Sequence, residues 1–445
     1  MTTLHSSLAK VPASIRNPYH RSSFTTALRR RNYHATSRFQ ALSTGDNDSA
    51  DAPSPIYVAA TRQHVGKTTV SLAIMSGLQK RVDQVGFIKP VGQQSLKVVD
   101  DDGFEMRVDK DVVLVKEHFK LDHLSYRHMS PVLIPKGYTK DYVDGKITNA
   151  SQKDLIINHY NEVNSRSSIV LAEGTGHCAV GSIIGASNAE VASWIGAKMV
   201  LVANGGLGKA FDELELNRVL CEHFNVPIAG VIINKVQIDK YEQTRYYLEK
   251  ALNDFWDIPL LGCIPDRPYL GNPALIDLER QLGGSFLSGQ EHALRHYTVT
   301  DLNLVATSLT VFLEHLRSRP SRTLYVCHAS RNDILLGFLG EHQRRKSRNE
   351  AFEAALIVCE GHELDPHLVD MLALEYDPPI LVVPEPTSLV MEKIHSFTPK
   401  LHAGDHSRVA ATVDHYEPYI DFDLMLQQAG HHHFHSSEER DIAAQ

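Results

Sequence analysis

From residue 55 to about 275, short apolar runs alternate with stretches whose apolar residues fall at helical spacing. The runs cover 56–60, 85–90, 168–172, 198–203, 228–234 and 259–264. Each is nearly continuous in apolar residues instead of alternating, the pattern of a strand covered on both faces. The intervening helical patterns, such as Val70, Leu72, Ala73, Ile74, Met75 and Leu78, predict crossover helices. Together they predict an α/β fold with a doubly wound parallel sheet. After a Gly/Ser/Gln-rich turn at 283–290 the alternation resumes: a helix at 302–316, strands at 323–326, 354–358 and 379–383, and a last helix starting at 405–409. This predicts a second, smaller α/β domain over 276–428 and a tail over 429–445.

Composition narrows the class. The chain has 445 residues, of which 42% are hydrophobic and 22% charged, with a formal net charge of −8. These values predict a soluble globular protein of two or three domains. The acidic balance argues against nucleic acid or an anionic membrane as the main partner. No apolar stretch approaches the length needed to span a bilayer. The five cysteines are widely spaced with no Cys-x-x-Cys, so they read as reduced, mostly buried residues. The first 54 residues differ from the rest. No acidic residue precedes Asp46, and Lys10, Arg16, Arg21, Arg29, Arg30, Arg31 and Arg38 lie among many Ser and Thr. That composition predicts an organellar transit peptide, mitochondrial first and chloroplast second, joined by a polar linker to residue 55.

Candidate chemistry gathers at the ends of the predicted strands. Residues 55–71 read Pro-Ile-Tyr-Val-Ala-Ala-Thr-Arg-Gln-His-Val-Gly-Lys-Thr-Thr-Val-Ser, a strand, a polar turn and Gly-Lys-Thr opening a helix. That order suits a phosphate-binding loop. Gly66 would let the backbone approach a phosphate, and the amides at the helix start would face it. Lys67 would reach the terminal phosphates and Thr68 would offer a hydroxyl to Mg²⁺. Thr61, Val65 and Thr69 complete the candidate ATP contacts, although Thr61 stands where the usual pattern has Gly. The bland alternative is a strand-to-helix turn with an exposed lysine. Lys89 ends the second strand, on the edge where ligands bind in doubly wound sheets, although most such lysines are simply solvated. Asp111 lies in a helix's first turn, where the plain reading is dipole complementarity. Glu173 and Gly174 follow the third run, and a carboxylate there suits a Mg²⁺ ligand beside a triphosphate.

In order, Val-Gly-Lys-Thr (65–68), Gly-Phe-Ile-Lys-Pro-Val (86–91), Asp111, Glu-Gly-Thr-Gly (173–176), Gly-Val-Ile-Ile-Asn (230–234) and Leu-Leu-Gly-Cys-Ile-Pro (260–265) resemble dethiobiotin synthetase. They are similar also to the ATP-binding domains of cobyrinic acid amide synthases and to the amino-terminal part of some phosphate acetyltransferases. The resemblance implies a P-loop NTPase fold with ATP and Mg²⁺ as cofactors. It makes Thr68, Asp111 and Glu173 metal ligands and Lys67 a phosphate ligand. It further implies that Lys89 neutralises a carbamate or acyl-phosphate and that Asn234 contacts adenine; Lys67 and Lys89 are then the catalytic candidates. The loop departs from the family's Gly-Thr-Asp-Thr-Glu-Val-Gly-Lys-Thr, reading Ala-Thr-Arg-Gln-His-Val-Gly-Lys-Thr over 60–68, and Gln93 replaces a frequent Ser. Residues 130–142 look closer to the phosphate acetyltransferase type.

The second half resembles the DRTGG-type domain that follows the ATP-binding part in those proteins, with a regulatory or ligand-sensing role implied. Their acetyl-transferring domain would follow residue 430, where this sequence has a tail containing His431, His432, His433 and His435. Two readings stand. One is a Mg²⁺-ATP-dependent ligase acting through a phosphorylated carbamate or carboxylate on an unidentified small substrate. The other is a nucleotide-sensing module that controls a partner enzyme. The resemblance implies a homodimer in either case.

Overall fold

The computed structural model describes residues 53–100, 103–318, 322–361, 364, 366–367, 378–397, 401 and 404–432. The basic leader before Asp46 and the histidines at 433 and 435 lie outside the described residues. Among the described residues, the strands are β1 (Ile56–Ala60), β2 (Val85–Ile88), β3 (Val91–Gly92), β4 (Ser95–Val99), β5 (Glu105–Asp109), β6 (Val132–Leu133), β7 (Ile169–His177), β8 (Lys198–Asn204), β9 (Ile228–Val236), β10 (Leu260–Pro265), β11 (Ser285–Ser288), β12 (Thr298–Leu304), β13 (Thr323–His328), β14 (Ala355–Cys359) and β15 (Ile380–Val383).

Six of them form a sheet in the order β10-β9-β8-β1-β7-β2, every pair parallel. The six apolar runs are these strands, and they are continuous because helices cover both faces. All five residues of β1 are buried. The helix Lys67–Gln79 packs on the sheet through Val70, Leu72, Ala73, Ile74, Met75 and Leu78. Outward strand order on both sides of β1 leaves the loop after β1 near the middle of the carboxyl edge, where such sheets bind ligands.

The antiparallel hairpin β4–β5 has no counterpart in the apolar pattern. Its strands are half exposed, so they carry little hydrophobic alternation. The hairpin nevertheless matters to the site. It ends on Asp109, whose Oδ1 accepts from the Asp111 amide at 3.0 Å and so caps the helix Lys110–Phe119. Asp109 Oδ2 accepts from the amides of Gln93 and Gln94 at 3.1 and 3.2 Å, which ties the hairpin's two ends together.

The second sheet runs β11-β15-β14-β13-β12, parallel except for β11. Phe312, Ile334, Leu335 and Phe338 cover one face, and Leu275, Leu278, Val390 and Ile394 cover the other. The helix expected at 302–316 begins later, at Leu309, because Leu302–Leu304 belong to β12. The apolar residues near that boundary satisfy both periods, and strand pairing with β13 decides for the sheet.

Glu341, on the helix Asn332–Ser347, is enclosed by three guanidinium groups. Its Oε2 accepts from Arg317 at 3.0 Å and from Arg344 at 2.8 Å, while Oε1 accepts from Arg345 at 3.3 Å. These bonds, Arg344's above all, hold its carboxyl down from 4.5 to about 2. A depressed carboxyl stabilises the fold above its unfolded value and loses that contribution as pH falls toward the folded one. Circular dichroism against pH is therefore expected to show the second domain losing stability between about pH 4.5 and 2. Glu341→Gln should start less stable at neutral pH and show a flatter acid limb. An identical acid limb in the variant would contradict this assignment.

The segment from Asp405 onward was expected to close the smaller domain, but it returns to the first core. Val409, Tyr416, Ile420, Phe422, Met425 and Leu426 are buried there. The helix His406–Tyr416 is followed by another, Phe422–Gln428, so it is not the last. Asp421 N donates to Leu261 O at 2.7 Å, and Ile420 bridges Gly262 on the edge strand β10. An otherwise open sheet edge is thereby covered. The start of the expected tail is docked too: Ser54 N donates to Ala429 O at 2.9 Å, and His431 Nε2 lies 3.2 Å from Ser54 O. The five cysteines are free and buried, as expected. Among the described residues, no helix is long and apolar enough to cross a membrane.

Candidate nucleotide site

The loop after β1 turns sharply into its helix. Gly66 adopts φ +89°, and a Cβ there would come within 2.5 Å of Asn234 Nδ2 and 2.9 Å of Thr69 Oγ1. Both the conformation and the space demand glycine. The first bond of the helix runs from Val70 N to Gly66 O. The amides of Lys67, Thr68 and Thr69 belong to the first turn, which has no intrahelical acceptor to offer them. A helix start of this kind is a ready anion site.

Glu173, fully buried in β7, is the centre of the charge arrangement. Its Oε1 accepts from the ammonium of Lys67, from Thr68 Oγ1 at 3.2 Å and from Lys89 Nζ at 2.9 Å. Lys89 also donates to Asp111 Oδ2 at 2.6 Å. Lys89 is 3% exposed, so it is not the solvated lysine that its strand-end position usually means. Two ammonium groups and two carboxylates thus form one neutral buried cluster. Burial would lower Lys89, yet Asp111 and Glu173 outweigh it and hold the ammonium charged well above its usual range. Burial also acts on Lys67, and here it wins, bringing that lysine down to about 8 against the pull of Glu173. For Asp111 and Glu173, burial favours the neutral acid, but the facing lysines keep both carboxyls below their usual values.

Two buried oxygens in the cluster have no hydrogen-bond partner, Glu173 Oε2 and Asp111 Oδ1, the second with the Lys110 ammonium 3.8 Å away. Unpartnered buried carboxylate oxygens call for an explanation. With the Thr68 hydroxyl they make an all-oxygen donor set, which fits Mg²⁺, an ion that takes one or two carboxylates and completes its shell with phosphate and water. Among the described residues, no three His, Cys, Asp or Glu side chains form a protein-only metal cluster.

The structure brings Lys67, Thr68, Lys89, Asp111 and Glu173 together and gives the other candidates supporting positions. Thr61 Oγ1 donates to Glu213 Oε2 at 3.0 Å, turned toward the helix Leu207–His223. Val65 is buried, and its carbonyl accepts from Asn234 Nδ2 at 2.8 Å. Asn234, itself fully buried, braces the loop from behind in this structure. Thr69 Oγ1 donates back to Gly66 O. Gly174 owes its identity to packing, since a Cβ would meet Asn188 Oδ1 at 2.6 Å and Tyr57 Cε1 at 2.8 Å. Sequence reasoning missed Asn188, which ties Tyr57 to the end of β7 at Thr175 and His177, and Glu213, which also faces Arg62 at 3.3 Å. Only long-range contacts define them, and no local pattern marks either.

Residues 54–274 match the family model described as an AAA domain, and residues 277–397 match that of the DRTGG domain. The chain joins a P-loop domain to a DRTGG domain. Its P-loop part is the one that holds the Lys67–Glu173 cluster. Among curated relatives, the phosphate acetyltransferase of Synechocystis sp. is 22% identical over 84% of this chain and 51% of its own length. That of Escherichia coli K12 is 23% identical over 83% of this chain and 52% of its own. The chain therefore spans about half the length of these relatives. Among solved structures, a ParA family ATPase from Chlorobium tepidum aligns at a TM-score of 0.30 and 16% identity, over 49% of this chain and 87% of that one.

Proposed function

We propose that this chain is a Mg²⁺-nucleotide-binding sensor module, in which ATP on the P-loop domain informs a DRTGG domain that acts on a partner enzyme. The observation that carries the reading is the closed cluster at Glu173. Lys89 is spent on two protein carboxylates, Asp111 at 2.6 Å and Glu173 at 2.9 Å, and is almost wholly buried. A lysine held this way supports the architecture of a binding site more than it supports neutralising an acyl-phosphate on a substrate. On nucleotide binding, Lys67, Thr68 and the loop amides would hold the phosphates. Thr68, Asp111 and Glu173 would hold Mg²⁺, which would supply positive charge against the phosphates. Relatives that align with more than four fifths of this chain, have as much further sequence of their own and are named phosphate acetyltransferases support a regulatory role over a self-contained synthetase.

A second reading, the ATP-dependent ligase, is favoured by the position of Lys89 at the end of β2, where the resemblance to dethiobiotin synthetase requires it. Phosphate release from Mg²⁺-ATP separates the two. The sensor reading expects nucleotide binding with negligible release, with or without diaminopelargonate and bicarbonate. An acceptor-stimulated rate that vanishes in Lys67→Ala would replace it with the ligase. Homodimer formation and an organellar location are part of the same proposal, to be read by sedimentation and by imaging of the full chain.

A further inference from the structure

The helix His406–Tyr416 lies outside both matched domain models, yet it touches both domains. At its carboxyl end Tyr416 is buried in the first core, 5% exposed, with its hydroxyl facing Thr69 and Asn234, the two residues that fix the phosphate loop from behind. At its amino end Arg408 Nε lies 2.7 Å from Asp405 Oδ2 and its Nη1 donates to Asn272 O at 3.0 Å. His296 Nε2 sits 3.4 Å from the same Asp405 oxygen, and Asp277 Oδ2 is 3.8 Å from Arg408 Nη2. Asp277 and His296 belong to the start of the DRTGG part, and all four of these side chains are buried. A helix of this length separates its ends by about 16 Å, at roughly 1.5 Å per residue.

The helix is also strapped along the loop helix. Glu417, at its end, accepts from Ser76 at 3.0 Å and from Lys80 at 2.5 Å. Arg81 donates to Asp423 at 2.6 Å and lies 4.6 Å over the ring of Phe422, which itself fills the space beside Gly77. The loop helix is therefore joined to this segment by packing and charge together.

We propose that the helix His406–Tyr416 is the element that couples nucleotide occupancy of the P-loop to the DRTGG domain, with Tyr416 as the positioning residue at the loop and Asp405–Arg408 as the anchor on Asp277 and His296. The proposal rests on the nucleotide-binding reading above and names how that site is read out. Phosphate binding engages the loop that Thr69 and Asn234 brace, and the Tyr416 hydroxyl is the group that follows them. Coupling of this kind requires a physical element that both sites bias, and the helix supplies it.

Hydrogen–deuterium exchange on the full chain, with and without saturating Mg²⁺-ATP, tests this. In the wild type, nucleotide should slow exchange in the loop at 61–70 and also at 274–297. Tyr416→Phe, which keeps the ring and removes one hydroxyl, should weaken Mg²⁺-ATP binding by about threefold to tenfold, the range of one hydrogen bond. At saturation it should lose at least half of the distant protection. Asp405→Asn should keep nucleotide affinity within about twofold, as expected for a site distant from the phosphates, and should lose the distant protection. The proposal is overturned if the loop is protected while 274–297 does not respond in the wild type, or if both variants respond as the wild type does. An unprotected loop in the wild type would instead remove the nucleotide reading itself, and this proposal with it. A melting curve for each variant, compared with and without nucleotide, guards against a merely unfolded anchor: Tyr416→Phe retains the ion pairs and carries the test if Asp405→Asn does not fold.

Discussion

Lys89→Met is expected to lower the melting temperature of the P-loop domain by about 10 °C, following a loss of about 3–5 kcal/mol when one partner of a buried ion pair is removed. The reason lies in the count of charges around Glu173. Lys89 donates to Asp111 at 2.6 Å and to Glu173 at 2.9 Å, and all three side chains are buried. Methionine preserves much of the lysine's length and apolar volume, so the cost isolates the charge from the packing. Glu173 retains Lys67 and Thr68, but Asp111 keeps only the more distant Lys110 ammonium, 3.8 Å from Oδ1. The double variant Lys89→Met/Asp111→Asn should recover a large part of the loss, because the orphaned carboxylate is gone. Differential scanning calorimetry reads both. A single variant as stable as the wild type would mean that the cluster contributes nothing to the fold.

Lys67→Ala is expected to act in the opposite manner, with a small effect on stability and a large one on nucleotide affinity. Lys67 is the more exposed of the two lysines, its side chain 10% accessible against 4% for Lys89. Burial has already lowered its pKa to about 8, so its charge is held less firmly than that of Lys89. Without it, Glu173 still has Lys89. A phosphate, however, would lose its ammonium partner at the helix start. Charge-assisted hydrogen bonds contribute about 1.5–3 kcal/mol, so affinity for Mg²⁺-ATP should fall by roughly 10- to 150-fold. The two lysines thus divide the work between them: Lys89 holds the site's frame and Lys67 meets the ligand. A variant that loses stability without losing affinity would reverse that division.

The core of the P-loop domain was legible in the sequence because each strand is covered on both faces and so appears as an unbroken apolar run. Most of the residues that the structure gathers at Glu173 were legible for a related reason: Lys67 and Thr68 open the helix after β1, Lys89 follows β2, and Glu173 follows the apolar half of β7. Lys89 shows the limit. Its position was readable, but its burial follows from Asp111 on a hairpin-fed helix that no periodicity announced. Asn234 shows another limit: the resemblance singles it out as an adenine contact, while its bond to Val65 depends on how the loop folds back. The return of residues 405–428 to the first core was not readable at all. An amphipathic helix carries its apolar face in its sequence but not the identity of the surface it covers, and Tyr416 finds Thr69 and Asn234 only through tertiary structure. The antiparallel β11 and the late start of the helix at Leu309 were hidden for the same reason, because pairing decided them.

The central claim, that a nucleotide binds at the Lys67–Glu173 cluster with Mg²⁺, is tested most directly by calorimetric titration of the full chain with ATP, in Mg²⁺ and again in chelator. Saturable binding at one site per chain is expected, weakened when Mg²⁺ is removed and weakened by roughly 10- to 150-fold in Lys67→Ala. Absence of binding in the wild type, or binding that Lys67→Ala leaves unchanged, would contradict it.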